Sequence, residues 1–564
     1  VTKSLAARHK GMSQDLRSIL KRCLMFCLLT SMTGFALGQC RFTTKSKPQT
    51  VTYRFQPEVT AEGLVLHVKL EFRSGSDGLD HLIVPADWAG EKLHGVTNLR
   101  TVSKHVRIED EPDASTKIIH ARANRDVVIG YDLSKDWTGL LVHPLQFHAI
   151  LQPKYFEFTG SNALVRLQLQ DGATETANFD WNGLPIAWTL ATSFGASESV
   201  ATRCQTYTGP WKNVEQGLYS GGDYRIHPFQ IGNQQAVLAV RGDWTFTDDD
   251  AAAQIAKVVG MVRDFWHDDN FPYFLVTLTP YDQDHGSSDG SAFTNAFWMY
   301  VSRKDTLSGL LPQLAHESFH AWNPGKMGHI VGAADEETKW FKEGFTDYYG
   351  YLLTYRAGAL PIAKYIDFLN RDLRSFPDSM NEYVRGAVIA LWLDGTIRSE
   401  SNGQHTLDDV MFDMVRSADK PYTLTQILET AGQYLSGDSR GLLERAVSHQ
   451  GNLPAPEHAP LVGDCAQATL QDLPGFDLGF DLERSRSAHV IRGVEEAGPA
   501  YAVGMRDGQP LYGISFYTGN TERLAKFKVG IDGTDKEIEF YPRGKSVAVW
   551  QYRINETRVC ERLP

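Results

Sequence analysis

Basic charge, cysteine and long apolar runs are all scarce in this 564-residue chain. Lys and Arg number 56 against 68 Asp and Glu, a formal net charge of −12, and no basic stripe interleaved with aromatics is present. That excludes a nucleic-acid surface of the usual kind. The six cysteines include no C-x-x-C pair, which argues against a cysteine-ligated metal module. Repeats and low-complexity tracts are missing, and 42% hydrophobic with 22% charged residues is the composition of a folded globular chain. One apolar run interrupts this pattern, from Cys23 to Leu37. It is too short, and too promptly followed by polar sequence, for a stable membrane span. With Arg17, Lys21 and Arg22 before it and Ala36-Leu37-Gly38 closing it, the run reads as an export signal that starts at Met12 and is cleaved before Gln39. The expected location is therefore periplasmic or secreted. Cys40, Cys204, Cys465 and Cys560 remain, an even count that an oxidising compartment lets pair, with the connectivity open and isolated buried thiols as the alternative.

What the chain does contain is a metal-binding pattern. In His316-Glu317-Ser318-Phe319-His320 two histidines stand four apart, and at about 3.6 residues per turn they point the same way and can hold one ion. Glu317 sits round the helix near the metal's open position, where it can take a proton from bound water. Such a string arises by chance in roughly one random chain of this composition in thirty, so its surroundings decide. At 23 residues beyond His320 comes Glu343, inside Trp340-Phe341-Lys342-Glu343-Gly344-Phe345-Thr346-Asp347-Tyr348-Tyr349, which reads as a second helix with a carboxylate on its apolar side. Two His and one Glu form a known zinc set that leaves one position for water. Asp347 is placed to accept the distal N–H of a ligating histidine and fix its tautomer. A third element, Tyr383-Val384-Arg385-Gly386, opens an apolar helix running through Ala390, Leu391 and Trp392 to Arg398. Tyr383 can there donate its phenolic proton to an oxyanion that exists only in the transition state. His329, alone in a Gly-flanked loop, reads as surface.

Together, H-E-x-x-H-x-W-N, W-F-x-E-G-F-T-x-Y-Y and Y-x-R-G before a helix ending L-D-x-x-I-R resemble the glycyl aminopeptidase family of zinc metallopeptidases. The resemblance implies an N-terminal β domain, a thermolysin-like helical catalytic domain and a C-terminal PDZ domain. It implies one Zn2+ per chain on His316, His320 and Glu343, with Glu317 as general base and Tyr383 steadying the oxyanion. It further implies a Gly-Gly-Leu-Glu-His type segment on the strand before the zinc helix, whose acid holds the free amino group of the substrate. Gly290-Ser291-Ala292-Phe293-Thr294 stands in that place. Gly290, Ser291, Ala292 and Phe293 are thus the expected substrate-binding residues, and Phe293 replaces the acid. A buried amine binds poorly without a carboxylate partner, and Asp289 lies close by, as a substitute or as a solvated turn acid.

Periodicity supplies the remaining organisation, a multidomain α+β chain. Residues 39–245 alternate apolar and polar over short stretches, among them 64–72 and 163–169, and read as an N-terminal antiparallel β domain. At Thr247 a cap opens a helix whose Ile255, Val258, Val259, Val262, Phe265 and Trp266 recur at three and four. The thermolysin-like zinc peptidase domain accordingly spans 246–460, with strands over 274–279 and 296–301 and a helix from Thr406 to Arg416. An edge strand there can pair with an extended peptide. Residues 461–564, after a Pro-rich connection, form a PDZ-like β domain: Leu478-Gly479-Phe480-Asp481-Leu482 resembles a carboxylate-binding loop beside an open strand edge, and the domain either captures a peptide C-terminus or buttresses the cleft. Residues 1–38 are the leader.

The expected function is peptide-bond hydrolysis by a zinc-activated water with a Glu base, in an aminopeptidase acting on small N-terminal residues such as Gly or Ala. Two rivals stay open, an endopeptidase without the free-amine requirement and a catalytically silent scaffold that binds protein C-termini through its PDZ-like domain. Expected partners are peptide or protein substrates and a C-terminal peptide ligand, with no nucleic acid and no stable membrane span after signal removal.

Overall fold

The computed structural model describes residues 40, 42 and 50–555, except 61–62, 114, 169–173, 198–202, 271–272, 283–287, 331–333, 377–380 and 517–518. The export signal, the side chain of His329 and Cys560 lie outside the described residues. Two compact units are formed.

The first unit comprises the described residues up to Asp136 with His148–Leu190 and Ser197–Glu215. Alternation works there as the sequence suggests: along Leu64–Arg73 every second side chain, Leu64, Leu66, Val68, Leu70 and Phe72, is buried. This strand belongs to a six-stranded sheet ordered Cys204–Pro210, Thr174–Asp180, Thr50–Val59, Leu64–Arg73, Asp126–Ser134 and Val96–Thr101. One pairing in it, Thr50–Val59 with Thr174–Asp180, is parallel. A disulfide joins Cys40 to Cys204, and Arg54 spans three strands by bridging Glu71 at 2.8 Å and Asp180 at 2.5 Å. The strand expected over 163–169 is broken. Thr159 Oγ1 accepts from Asn162 N at 3.2 Å and Asn162 Oδ1 accepts from Thr159 N at 2.9 Å, a reciprocal cap that winds Gly160–Ala163 into a helical turn and leaves Arg166–Leu167 as the strand.

The second unit comprises Trp137–Phe147, Ala191–Ala196 and the described residues from Gln216 onward. Thr247 Oγ1 accepts from Asp250 N at 3.0 Å and starts α1 (Asp248–Trp266), which buries the expected stripe from Ile255 to Trp266. Beside it lies a five-stranded sheet of β1 (Arg225–Ile231), β2 (Gln234–Val240), β3 (Tyr273–Pro280), β4 (Ser288–Phe293) and β5 (Ala296–Val301), in the order β1-β2-β3-β5-β4. Its first two strands come from upstream of Thr247, because local period tells strand from helix but not which sheet a strand joins. β4 is the edge strand, antiparallel to β5. The site helices are α2 (Leu307–Phe319), α3 (Thr346–Arg356), α4 (Ile362–Ser375) and α5 (Glu382–Glu400). Between α2 and α3, Trp340–Phe345 is a π-helical turn, where the sequence suggested regular helix; such widened turns frequently mark functional sites. Gly344 in this turn meets Gly386 of α5 so closely that a Cβ on Gly386 would overlap the Trp340 carbonyl. That contact accounts for a glycine in each motif.

Toward the C-terminus, Gly463–Phe476 pairs with Arg543–Ile554, and Asn370 of α4 exchanges two hydrogen bonds with the Tyr552 backbone, at 2.9 and 2.7 Å. Leu478, Phe480, Ile491, Met505, Phe527 and Phe540 share a separate small core. After Asp481 the chain turns helical over Leu482–Ala488, since the Asp481 side chain accepts from Arg484 N at 3.0 Å and caps it. None of the described helices is long and apolar enough to cross a membrane.

Glu175 in the first unit is 2% exposed, and neither of its carboxylate oxygens has a hydrogen-bond partner among the described residues. Burial pushes it up to about 7. The folded chain therefore holds this proton at pH values where the unfolded chain, titrating near 4.3 (about the model-peptide value), has released it, so stability is full below the unfolded value and falls as pH rises through about 7. Glu175→Gln is expected to raise Tm at pH 8 and to leave it nearly unchanged at pH 4 in a thermal-unfolding series; an equal gain at both would contradict this reading.

Candidate metal centre and cleft

Near the C-terminal end of α2, the His316 and His320 Nε2 atoms stand 3.0 Å apart. Glu343 Oε2, from the π-helical turn, lies 3.5 Å from the first and 3.3 Å from the second. The two edges to Glu343 match those of a tetrahedron around an ion with bonds of about 2.0–2.2 Å, about 3.3–3.6 Å, and the edge between the histidines is shorter at 3.0 Å. Among the described residues these three form the cluster of His, Cys and acid side chains able to hold a metal. The donor chemistry, two imidazoles and one carboxylate, suits zinc.

The surrounding charge also suits a cation. Burial alone would lower the His316 imidazolium, but the Asp347 carboxylate, with Glu343 and Glu317, outweighs it and raises the group to about 10. Burial alone would raise Glu343, and the two histidines instead hold it well below the usual carboxylate range. Each imidazole has its other nitrogen matched: His316 Nδ1 lies 2.8 Å from Asp347 Oδ1, and His320 Nδ1 lies 2.8 Å from the Asn323 carbonyl. Both Nε2 atoms are thereby turned to the metal position.

Asn323 is a residue that sequence reasoning quoted but gave no role. Fully buried, it donates to Phe341 O at 3.1 Å and Thr346 Oγ1 at 3.2 Å, and accepts from Tyr422 OH at 3.0 Å. It fastens the end of the zinc helix to the turn that carries Glu343. Its only signal in the sequence is its place just after the motif.

A cavity of about 580 Å3 opens on the three donors and is lined also by Glu317, Asp347 and Tyr383. Burial pushes Glu317 up, against the pull of His316 and His320. Tyr383 stands in the first turn of α5, where its N–H donates to the capping Asn381 Oδ1 at 3.0 Å, and its ring lies 6.1 Å from that of His316. Burial, then the Glu343 and Asp347 carboxylates, push its phenol above the usual range, so it stays a proton donor. From β4, Gly290 and Ser291 line the cavity. Ala292 is exposed to solvent, and the Phe293 ring packs 6.1 Å from that of Trp298, so neither reaches the lining. The acid of this strand that does is Asp289, which accepts from Tyr281 OH at 2.5 Å and lies 3.2 Å from His143 Nδ1.

Residues 310–406 match the model of the M61 glycyl aminopeptidase family. This segment belongs to that family of zinc metallopeptidases. In fold, the chain is similar to an aminopeptidase N family protein from Idiomarina loihiensis, with a TM-score of 0.65 and 16% identity over 89% of this chain and 98% of that one. It is also similar to an M1 zinc metallopeptidase from Deinococcus radiodurans, with a TM-score of 0.46 and 16% identity over 73% of this chain and 96% of that one. No curated protein matches the chain in sequence. The glycyl aminopeptidase segment thus sits in a multidomain α+β chain with an N-terminal β-sheet unit and a helical unit, and the protein is a zinc metallopeptidase.

Glu343→Ala is expected to abolish metal retention, and Asp347→Asn to lower metal affinity about 10–100-fold while all three ligands remain. Chelator competition measures both. An Asp347→Asn protein that holds metal as tightly as the wild type would remove Asp347 from the site.

Proposed function

We propose that this zinc metallopeptidase is an aminopeptidase that removes small N-terminal residues, such as Gly or Ala, from peptides. The observation that carries the reading is one cavity lined by His316, His320 and Glu343, by Glu317 on the same helix, by Tyr383 and by Asp289 on the edge strand. Zinc on the three ligands would supply a Lewis acid and bring the pKa of its water toward about 7. Glu317 takes the proton of the attacking water and returns it to the leaving amine. Tyr383 hydrogen-bonds the oxyanion of the tetrahedral intermediate. The free edge of β4 pairs with the extended substrate main chain, and Asp289 meets the α-ammonium where position 293 offers only a phenyl ring. Phe147, whose ring lies 6.1 Å from that of His143 beside Asp289, walls the cavity, which favours a small first residue.

The C-terminal PDZ-like region braces the cleft in this proposal. The exchange between Asn370 and Tyr552, and the bond from Gln551 Nε2 to Asn370 O at 3.0 Å, support a buttress over capture of a protein C-terminus. The Cys40–Cys204 disulfide supports an oxidising compartment outside the cytosol, periplasmic or extracellular.

Glu317→Gln is expected to keep its metal and to lose kcat by about 10²–10⁴-fold; full activity in that variant would end the assignment. Asp289→Asn is expected to raise KM for glycyl and alanyl amides about tenfold or more, as loss of a charge-assisted contact does, with kcat little changed. If Asp289→Asn leaves KM where it was, the amine is held elsewhere.

A further inference from the structure

The cleft continues past the metal centre. Beyond Gly309 and Phe368, which line both spaces, a second cavity of about 620 Å3 opens between the first turn of α2, α4 and residues 519–523. Four cations line it, Lys364, Arg371, Arg374 and Arg523, against two acids, Asp367 and Glu522. Arg371 is fixed in the wall between the two cavities: it donates to Tyr351 OH at 2.6 Å, Tyr351 itself lining the metal cavity, and to the buried Asp372 Oδ1 at 2.9 Å, which offsets its charge, and its guanidinium lies 5.1 Å from the Phe368 ring centre. Arg374 approaches Glu522 at 3.4 Å through one terminal nitrogen, while its Nε is buried with no hydrogen-bond partner among the described residues. The start of α2 adds to this field. Thr306 at its N-cap makes no side-chain capping bond, and Thr306, Ser308 and Gly309 line the space, which brings the positive end of the helix dipole to bear on it.

Distance along α2 sets what can reach the cavity. From His316 back to Gly309 is seven residues, about 10 Å at a rise of 1.5 Å each. An extended peptide advances about 3.3 Å per residue, so its third residue beyond the scissile bond arrives there. We propose that this cationic cavity binds a substrate carboxylate about three residues beyond the cleaved bond, so that the enzyme selects short peptides by their C-terminal carboxylate. Arginine and the helix start supply the N–H donors that a carboxylate accepts. An acidic side chain at the same distance presents the same group. The direction of the substrate in this scheme rests on the aminopeptidase reading above.

The test uses peptides of the form Gly-(Ala)n, with n from one to five, each as free acid and as C-terminal amide. The full-length Glu317→Gln protein gives Kd by calorimetry, and the wild type gives kcat/KM. The expected result is a preference for acid over amide of about tenfold, peaking near n = 3, that falls toward one in Arg374→Ala and declines in Lys364→Ala. Lys364 is 64% exposed in its side chain, so its variant keeps the test valid if loss of Arg374 unfolds the chain. Amidated peptides with Glu at the third position past the bond, bound in preference to their Gln counterparts, would assign the site to an acidic side chain. Equal binding of acid and amide at every length, with no response to Glu, would overturn the proposal. Because binding is read without turnover, an acid preference in Glu317→Gln beside a wild type that ignores free amines would fault the aminopeptidase reading and leave the carboxylate site standing.

Discussion

Glu317, Glu343 and Asp347 share one pocket with His316 and His320, and a cation among them offsets the cost of burying so many carboxylates together. Much of the second unit follows from the need to hold these five side chains in register. The two histidines come from one helix, where spacing alone aligns them. Glu343 and Asp347 come from a π-helical turn and the helix after it, and Tyr383 from a third element, so their positions depend on how three segments cross.

Two contacts set that crossing. Asn323 ties the last turn of the zinc helix to the Phe341 carbonyl and the Thr346 hydroxyl, which fixes Glu343 relative to His320. Gly344 against Gly386 brings the Glu343 turn onto α5 with backbone nearly touching backbone, which fixes Glu343 relative to Tyr383. Farther along α5, Asp394 is buried and accepts from Tyr348 OH, Arg398 Nε and Leu407 N, each at 3.1 Å, so the helix carrying Tyr383 is anchored at its far end as well. The ligand set is thus supported by polar groups and glycines that touch no substrate.

The parts legible in the sequence are those whose geometry is local. His316 and His320 align through helical pitch, α1 begins at Thr247 and the Leu407–Arg416 helix at Thr406 through side-chain caps, and the strand Leu64–Arg73 alternates because one of its faces is buried. What was hidden depends on tertiary placement or on backbone alone. A π-helical turn at Glu343 leaves no residue signature beyond Gly344. Which β4 residues line the cleft depends on Trp298 drawing Phe293 aside and on Tyr281 and His143 attending Asp289. The reciprocal cap of Thr159 and Asn162 overrode a good alternating pattern. The cationic cavity draws on α4 and on residues 519–523, some 150 positions apart, a juxtaposition no linear motif announces.

The proposed function is that of a zinc centre serving a free amino terminus. It is tested most directly by measuring bound metal together with hydrolysis of glycyl amide and of its N-acetylated form, each with and without a chelator. The expected result is one zinc per chain and chelator-sensitive cleavage of the free-amine substrate, with the blocked substrate left intact. Comparable cleavage of the blocked substrate, or a zinc-loaded chain that cleaves neither, would contradict it.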